Sequence, residues 1–503
     1  MSGINQLLAD IENAPAGPRV AAIFDFDGTL IAGYSAVAFI REQLRRGDLS
    51  PRQFAELLQA ATNFGLGNLG FSGLMAVTAQ FLRGVEEETW HELGRELYTR
   101  QIARLIYPES RALVAAHQAR GHTVAIISSA TRYQVESAAA DLGIDHVLCT
   151  RLEVKGGKFT GNVISPTCFG QGKVAAAVAL ARKYRANLDN SFFYSDSQDD
   201  QLLLEHVGYP RALNPGAGLE RIARARRWPI AKFGSRGRPT LSQLLRSVAA
   251  TGSVVTSFMA GLPVYALTGS LRDAQNFSFS LFADTASALI GLDLKVTGEE
   301  HLWSHRPAVF VFNHQSKADV IIAARLLRRD IAGVGKREIK KETPLLGKVL
   351  EWGGVVFIDR ADRKSAITAM TPLVDAMRKE GKSVVLAPEG TRTVSRALAP
   401  FKKGAFHLAM QAGVPMVPIV IHNSGDVAPK GDFVLRAATV EVEVLPPVDT
   451  STWRVKTIDK HVREVRNLFA RALHQAEDRP RKAKKKMQTK ALHKVPVKKR
   501  KKR

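Results

Sequence analysis

Two aspartates at the end of an apolar run are the first residues whose spacing could do chemistry. Asp25 and Asp27 follow the segment VAAIF and stand directly before Gly28 and Thr29. Side chains two residues apart on a strand point to the same face, so both carboxylates can enter one pocket. Carboxylates this close repel each other, and a divalent cation relieves the repulsion. The pair predicts a cation site, although an aspartate pair in a surface turn has the same spacing.

Four further polar residues follow in an order that a surface turn would not explain. Ser128 ends the apolar run TVAII, Lys173 opens the helical stretch GQGKVAAAVALA, and Asp196 and Asp200 follow the run SFFYS. Carboxyl ends of parallel strands meet at one edge of a sheet, where these groups would converge. A lysine and a cation together can position and neutralise a phosphoryl group during its transfer.

A histidine and an aspartate five residues apart form a second candidate pair. His314 and Asp319 lie in NHQSKAD, directly after the run AVFVF. A histidine removes a proton from an alcohol best when an acid fixes its tautomer. Alone, this spacing is weak evidence, because such pairs are usually structural or solvated.

Three later segments strengthen the second pair. They are GVVFIDR, which ends in Arg360, LAPEGTR, which contains Glu389, Gly390, Thr391 and Arg392, and GVPMVPIVI. The planar fork of an arginine side chain suits a phosphate group. The segments therefore favour a site for a phosphorylated alcohol.

The first ordered set resembles the haloacid dehalogenase-like phosphatases, in their phosphoserine-phosphatase-like branch, over about residues 20–230. The resemblance implies that Asp25 is a nucleophile that forms an aspartyl-phosphate and that Asp27 is the general acid and then the base. It implies that Ser128 and Lys173 hold the phosphoryl oxygens.

The same resemblance implies a magnesium site. Asp25, Asp196 and the backbone carbonyl of Asp27 would bind Mg²⁺, and Asp200 would support the metal shell. Phosphoserine phosphatases of this branch have a glutamate nine residues after the nucleophile, where this chain has Tyr34. Phosphoserine is therefore not the expected substrate, and the substrate stays open.

The second set resembles the 1-acylglycerol-3-phosphate acyltransferase family, over about residues 255–455. The resemblance implies that His314 is the general base for the acceptor hydroxyl and that Asp319 orients it. The glycerophosphate head would be bound by Arg360, Glu389, Gly390, Thr391 and Arg392. The acceptor would be lysophosphatidate, and the donor an acyl thioester, either acyl-CoA or acyl carrier protein.

Strand-like runs that alternate with helical stretches predict an α/β fold with parallel sheets. We expect a phosphatase domain at 1–240, a doubly wound parallel sheet with a helical cap at about 33–110. A second α/β domain, the acyltransferase, is expected at 241–478, beginning with an apolar helical hairpin. Residues 479–503 are expected to form a disordered polybasic tail. The segment WPIAKFGSRGRPTLSQ reads as a linker between the two domains.

The charge and the apolar hairpin suggest a membrane surface as a partner. The net charge is +25, and residues 479–503 hold fourteen Lys or Arg and no acid, which leaves +11 for the rest. Such a tail favours anionic lipid; a solvated tail without a partner and nucleic acid are the alternatives. No aromatic residue interleaves the lysines, so nucleic acid is not the expected partner.

The hairpin predicts membrane contact at the cytoplasmic face, peripheral or monotopic. No charged residue lies between Arg246 and Arg272, and a second apolar run is broken by Asp284. A buried hairpin in a soluble protein is the alternative. Two cysteines fit a reducing compartment, and the first twenty residues lack the apolar run of a secretory signal.

Together these features predict a bifunctional phospholipid-biosynthesis enzyme, in which acyl transfer gives phosphatidate and the first domain hydrolyses a phosphomonoester. Phosphatidate is itself a phosphomonoester, so one hypothesis is that the phosphatase domain converts it to diacylglycerol. The alternative is a membrane-associated acyltransferase whose phosphatase-like domain acts on an unrelated small phosphate ester, or only binds and regulates.

Overall fold

A computed structural model describes residues 3–336, 340, 342–358, 371–475 and 477–478. Its first sheet has seven strands: β1 (Ala21–Phe24), β2 (Thr123–Thr131), β3 (His146–Lys155), β4 (Lys158–Ile164), β5 (Phe192–Ser195), β6 (Tyr209–Leu213) and β7 (Ile230–Ala231). Their order is β4-β3-β2-β1-β5-β6-β7, and all neighbours are parallel except β3 and β4. Helices cover both faces of the sheet, which is why β1 and β5 are continuous apolar runs with every residue buried.

Ten helices accompany this sheet in the described part of the chain. They are Gly3–Asn13, Ser35–Arg46, Pro51–Gly65, Phe71–Phe81, Glu87–Leu97, Pro108–Ala119, Arg132–Leu142, Gln171–Tyr184, Gln201–Leu204 and Ala217–Ala225. The four from Ser35 to Leu97 lie between β1 and β2, in the segment expected to form the cap. Helix Pro51–Gly65 begins where it does because Ser50 and Gln53 form a reciprocal capping box and Pro51 takes the first helical position.

The second sheet also has seven strands: β8 (Leu292–Thr297), β9 (Val309–Phe312), β10 (Ile331–Lys336), β11 (Val355–Ile358), β12 (Ser383–Leu386), β13 (Met416–Ile421) and β14 (Ala438–Val444). Their order is β11-β10-β12-β9-β13-β14-β8, with only the β13–β14 pair antiparallel. The expected α/β class with two parallel-rich sheets is confirmed.

Described helices of the second half are Leu241–Thr268, Leu271–Ile290, Asp319–Leu327, Pro344–Trp352, Thr371–Glu380, Gly404–Ala412 and Ile458–Ala472. The first two form the expected helical hairpin, which turns at Gly269 in the left-handed region at φ 69°. Among the described helices, only Leu241–Thr268 is long and apolar enough to cross a membrane.

The segment expected to be a linker is largely packed against both domains. Ile230 and Ala231 pair with β6 as β7, and Arg236 is only 9% exposed. The Arg236 guanidinium donates to the Arg104 carbonyl at 2.9 Å and the Gly425 carbonyl at 3.1 Å, so it joins the two halves. The composition of this Gly- and Pro-rich stretch does not predict these contacts.

Two candidate active sites

The first site forms where β1 and β5 end side by side in the sheet. Asp25 follows β1 and Asp196 follows β5, so the chain emerges at the same edge for both. Lys173, near the start of helix Gln171–Tyr184, places its Nζ 3.0 Å from Asp25 Oδ1 and 2.8 Å from Asp200 Oδ2. Ser195 Oγ donates to the same Asp200 oxygen at 2.6 Å. The structure thus brings together four of the acidic and basic residues that the sequence singled out.

Burial and neighbouring charges shift the pKa values of the ionisable groups in this site. Burial raises the pKa of the Asp25 carboxyl, and Lys173 opposes that rise. Burial alone would lower the pKa of Lys173, but Asp200 and Asp25 raise it above its ordinary value. Lys173 therefore carries a fixed positive charge beside Asp25, and such a charge would suit a phosphoryl group.

Asp27 is held away from Asp25 by a separate set of hydrogen bonds. The Ser35 backbone N–H donates to Asp27 Oδ1 at 2.6 Å, and the Ser35 hydroxyl donates to Oδ2 at 3.1 Å. Gln134 Nε2 in turn donates to the Ser35 hydroxyl at 3.0 Å. Burial raises the pKa of Asp27 to about 6, which suits a group that gives up and takes back a proton near neutral pH. Sequence analysis missed Ser35 and Gln134, which carry no motif of their own.

The residues expected to hold Mg²⁺ fit that ion. Ser35 hydrogen-bonds to both oxygens of the Asp27 carboxylate. The candidate ligands for Mg²⁺ are therefore the Asp25 and Asp196 carboxylates and the Asp27 carbonyl. The described residues contain no cluster of three or more metal-ligating side chains, but Mg²⁺ commonly uses one or two carboxylates with waters and substrate phosphate. Burial raises the pKa of Asp196 to about 7, so a cation would stabilise its charged form. A Cβ on Gly28 would lie 2.0 Å from Asp196 Oδ2, so only glycine admits this carboxylate.

Ser128 lies inside β2 and is almost fully buried. Its hydroxyl accepts a hydrogen bond from the Ala130 N–H at 3.2 Å. The neighbours Ser129, Ala130 and Thr131 line the cavity at Asp25. This strand end therefore faces the cavity through Ser129, Ala130 and Thr131.

The second site begins at the end of β9. His314 Nδ1 donates to Asp319 Oδ2 at 2.8 Å, and Asp319 is fully buried at the start of helix Asp319–Leu327. The same oxygen accepts the backbone N–H groups of Gln315 and Ser316 at 2.8 and 2.9 Å. This bond fixes the proton on Nδ1 and leaves Nε2 free to accept one. The predicted base and its orienting acid are thus in contact.

Glu389 holds the loop of His314 in place. One of its oxygens accepts the His314 N–H at 2.7 Å and the other accepts the Ala399 N–H at 2.9 Å. Burial raises the pKa of Glu389, and these backbone bonds oppose the rise. Both oxygens of Glu389 are thus engaged with the backbone around His314, and its predicted contact with the glycerophosphate head stays a prediction.

The remaining head-binding candidates lie close to the first pair. Arg392 has one guanidinium nitrogen, Nη1, that is buried without a hydrogen-bond partner among the described residues. The next residue, Thr393, donates its N–H to the His314 carbonyl at 3.0 Å. Gly390, at φ 71°, lies against Lys402, and Thr391 is exposed. Arg360 lies outside the described residues.

Each half of the chain matches the model of a known protein family. Residues 22–205 match the model of the haloacid dehalogenase-like hydrolases, and residues 293–422 match the model of the acyltransferases. The chain is 33% identical over 185 residues to a 1-acyl-sn-glycerol-3-phosphate acyltransferase of Limnanthes douglasii, covering 37% of this chain and 65% of that protein. It spans slightly less than two thirds of that relative's length.

Two relatives are covered more fully. A human 1-acyl-sn-glycerol-3-phosphate acyltransferase alpha is 32% identical over 213 residues, covering 42% of this chain and 74% of that protein. A Mycobacterium tuberculosis protein named "Probable phosphatase" is 31% identical over 268 residues, covering 50% of this chain and 89% of its own. The chain belongs to the acyltransferase family and, through its N-terminal half, to the haloacid dehalogenase-like hydrolases.

Solved structures show weaker likeness. A Thermotoga maritima 1-acyl-sn-glycerophosphate acyltransferase is 21% identical with a TM-score of 0.38, covering 46% of this chain and 96% of that one. A phospho-aspartyl intermediate analogue of phosphoserine phosphatase is 20% identical with a TM-score of 0.34, covering 43% and 93%.

Proposed function

We propose that this chain is a bifunctional enzyme of phospholipid biosynthesis. Its C-terminal domain transfers an acyl group from a thioester to 1-acylglycerol-3-phosphate, which gives phosphatidate. Its N-terminal domain hydrolyses a phosphate monoester with Mg²⁺ through an aspartyl-phosphate. The observation that supports this best is that Asp25 contacts Lys173 at the edge of one sheet and His314 contacts Asp319 at the edge of the other.

Acyl transfer needs no covalent enzyme intermediate. His314 Nε2 removes the proton from the acceptor hydroxyl, whose oxygen attacks the thioester carbonyl. The carbon–sulfur bond breaks, and the leaving thiolate takes up the proton. Asp319 stabilises the imidazolium that forms, and the Arg392 guanidinium is available to bind the acceptor phosphate. Acyl-CoA and acyl carrier protein both remain candidate donors.

Phosphate hydrolysis proceeds in two steps. Asp25 attacks phosphorus while Asp27 protonates the leaving oxygen; Asp27 then deprotonates a water that cleaves the aspartyl-phosphate. Lys173 neutralises charge on the transferred group, and Asp200 fixes Lys173 in place. Asp25, Asp196 and the Asp27 carbonyl would hold Mg²⁺, which when bound would supply further charge neutralisation.

The helical hairpin supports attachment to the cytoplasmic face of a membrane. Its buried side is lined with serines, including Ser253 and Ser257, and a Cβ on Gly261 would lie 2.1 Å from Ser278 Oγ. Its outer side exposes large apolar side chains, such as Leu262 at 51% and Leu267 at 88%. Small residues between helices and apolar residues outside are the arrangement that lipid favours.

Replacing Leu262 and Leu267 together by serine is expected to weaken binding to neutral and anionic vesicles alike. Loss of two large inserted side chains, each worth about 1.5–3 kcal/mol when buried, predicts at least about a tenfold fall in partitioning. Flotation with phosphatidylcholine vesicles, with and without phosphatidylglycerol, measures it. Leu58→Ser, at an exposed site on the cap, is the matched control.

Removal of 479–503, which lies outside the described residues, is expected to weaken binding to anionic vesicles more than to neutral ones. Each basic residue near such a surface contributes about 1 kcal/mol, and salt screens that attraction. The difference between vesicle types should therefore fade in high salt. Equal loss on both types would assign no electrostatic role to the tail and leave the hairpin as the anchor.

Two measurements on one purified chain test the proposed function directly: acylation of lysophosphatidate, and Mg²⁺-dependent phosphate release. Acylation without any Asp25-dependent phosphate release would favour the alternative, in which the N-terminal domain only binds and regulates.

A further inference from the structure

The largest feature that the mechanism leaves unexplained is the cavity behind Asp25. It has a volume of about 780 Å³ and extends from Asp25 and Lys173 under the cap helices. The reacting end is polar and charged. The distant end is formed by the cap, and it sets what kind of group can follow the phosphate.

The cap contributes a mostly apolar wall to this cavity. Its apolar side chains come from four helices and include Phe39, Leu57, Phe64, Leu74, Met75 and Trp90. No charged side chain from the cap lines the cavity; every charged group on its wall lies at the reacting end, from Asp25 to Asp200. The polar side chains that the cap adds to this wall are Tyr34, Gln43 and Thr78. Most polar groups of an amino acid or a sugar would therefore face apolar side chains, and burying a polar group unpaired costs about 1–3 kcal/mol.

Three aromatic rings that contact one another line the cavity between the cap and the core. Phe71 stacks on Phe169 with ring centroids 4.5 Å apart, and Phe64 meets both rings edge-on at 6.0 Å. Phe169 lies in the loop that precedes Lys173. The apolar wall thus continues from the cap down to the phosphoryl-binding lysine.

The cavity is large enough to hold a hydrocarbon chain. A methylene group occupies about as much space as a water molecule, about 30 Å³, so a 16-carbon chain fills on the order of 500 Å³. One such chain, with a small polar link to the phosphate, therefore fits in the 780 Å³ present.

We propose that the N-terminal site hydrolyses the phosphate monoester of a single-chain lipid, with the chain in the cap cavity and the phosphate at Asp25. The substrate class is a lysophosphatidate-type phosphate, and the products are a single-chain alcohol and inorganic phosphate. This rests on the proposed phosphatase function. It differs from the hypothesis that phosphatidate is the substrate, and it makes the two sites competitors for one acceptor.

The test compares kcat/KM for phosphate release from 1-acylglycerol-3-phosphate, phosphatidate, glycerol 3-phosphate and phosphoserine, in one detergent with Mg²⁺. The single-chain lipid is expected to exceed each of the others by at least about tenfold, since even one methylene in an apolar pocket is worth that much. Phosphatidate or phosphoserine as the best substrate would overturn the proposal. If no ester is hydrolysed in an Asp25-dependent way, it is the phosphatase function that fails.

A pair of variants on one helix separates the cavity from the protein surface. Leu57 lines the cavity, whereas its neighbour Leu58 is 59% exposed and does not. Leu57→Trp is expected to lower kcat/KM for the single-chain lipid about tenfold and to leave glycerol 3-phosphate unchanged. Leu58→Trp should alter neither. Equal effects of both variants, or equal loss on both substrates, would contradict an acyl chain in the cavity.

Discussion

Replacing His314 by alanine is expected to lower acyl transfer to lysophosphatidate by about a hundredfold to ten-thousandfold, the range that general bases contribute. Nothing else in the described part of the site can take the hydroxyl proton as His314 Nε2 can, because Asp319 is fully buried and occupied by His314, Gln315 and Ser316. Radiolabelled acyl thioester and thin-layer separation of phosphatidate measure the rate.

Phosphate release from the same His314→Ala protein should be unchanged, since the two sites stand on different sheets. His305→Ala is the matched control, because His305 is exposed and bonds only its neighbour Ser304. Acylation near the wild-type rate in His314→Ala would show that the base has been assigned to the wrong residue.

The second large effect is expected for Asp25→Asn. An amide cannot form the aspartyl-phosphate, so phosphate release should fall by at least about ten-thousandfold, as when covalent nucleophiles are removed. Lys173 keeps its ion pair with Asp200, so the fold should persist, and acyl transfer should be unaffected. Malachite-green detection of phosphate measures the loss, and a thermal melt checks the fold. Asp145→Asn, the same change at an exposed position, serves as the control. Substantial phosphate release by Asp25→Asn would exclude Asp25 as the nucleophile.

The catalytic residues could be found from sequence because each stands at a strand end inside a short local pattern. Asp25, Asp196 and His314 all follow runs of buried apolar residues, and the parallel sheets bring those ends together. The α/β class follows from the same alternation of strands and helices. Local pattern and tertiary arrangement agree at these positions.

Positioning residues and the cavity could not be found in this way. Gln134 donates to the Ser35 hydroxyl beside Asp27, although Gln134 and Ser35 lie 99 positions apart in the sequence. Glu389 accepts the His314 backbone N–H although the two residues lie 75 positions apart. The apolar wall is assembled from cap helices whose individual patterns only predict burial. Which buried side chains face a cavity and which fill a core depends on packing, which sequence periodicity does not specify.

One experiment tests the central claim that a single chain carries two independent enzymes. The intact protein, His314→Ala and Asp25→Asn are each given lysophosphatidate, acyl-CoA and Mg²⁺. The lipid products are measured by mass spectrometry. The same set is repeated with acylated carrier protein in place of acyl-CoA as the donor. The account predicts phosphatidate from the intact protein and Asp25→Asn but not from His314→Ala. It predicts monoacylglycerol from the intact protein and His314→Ala but not from Asp25→Asn. Loss of both products in either variant, or persistence of both, would contradict it.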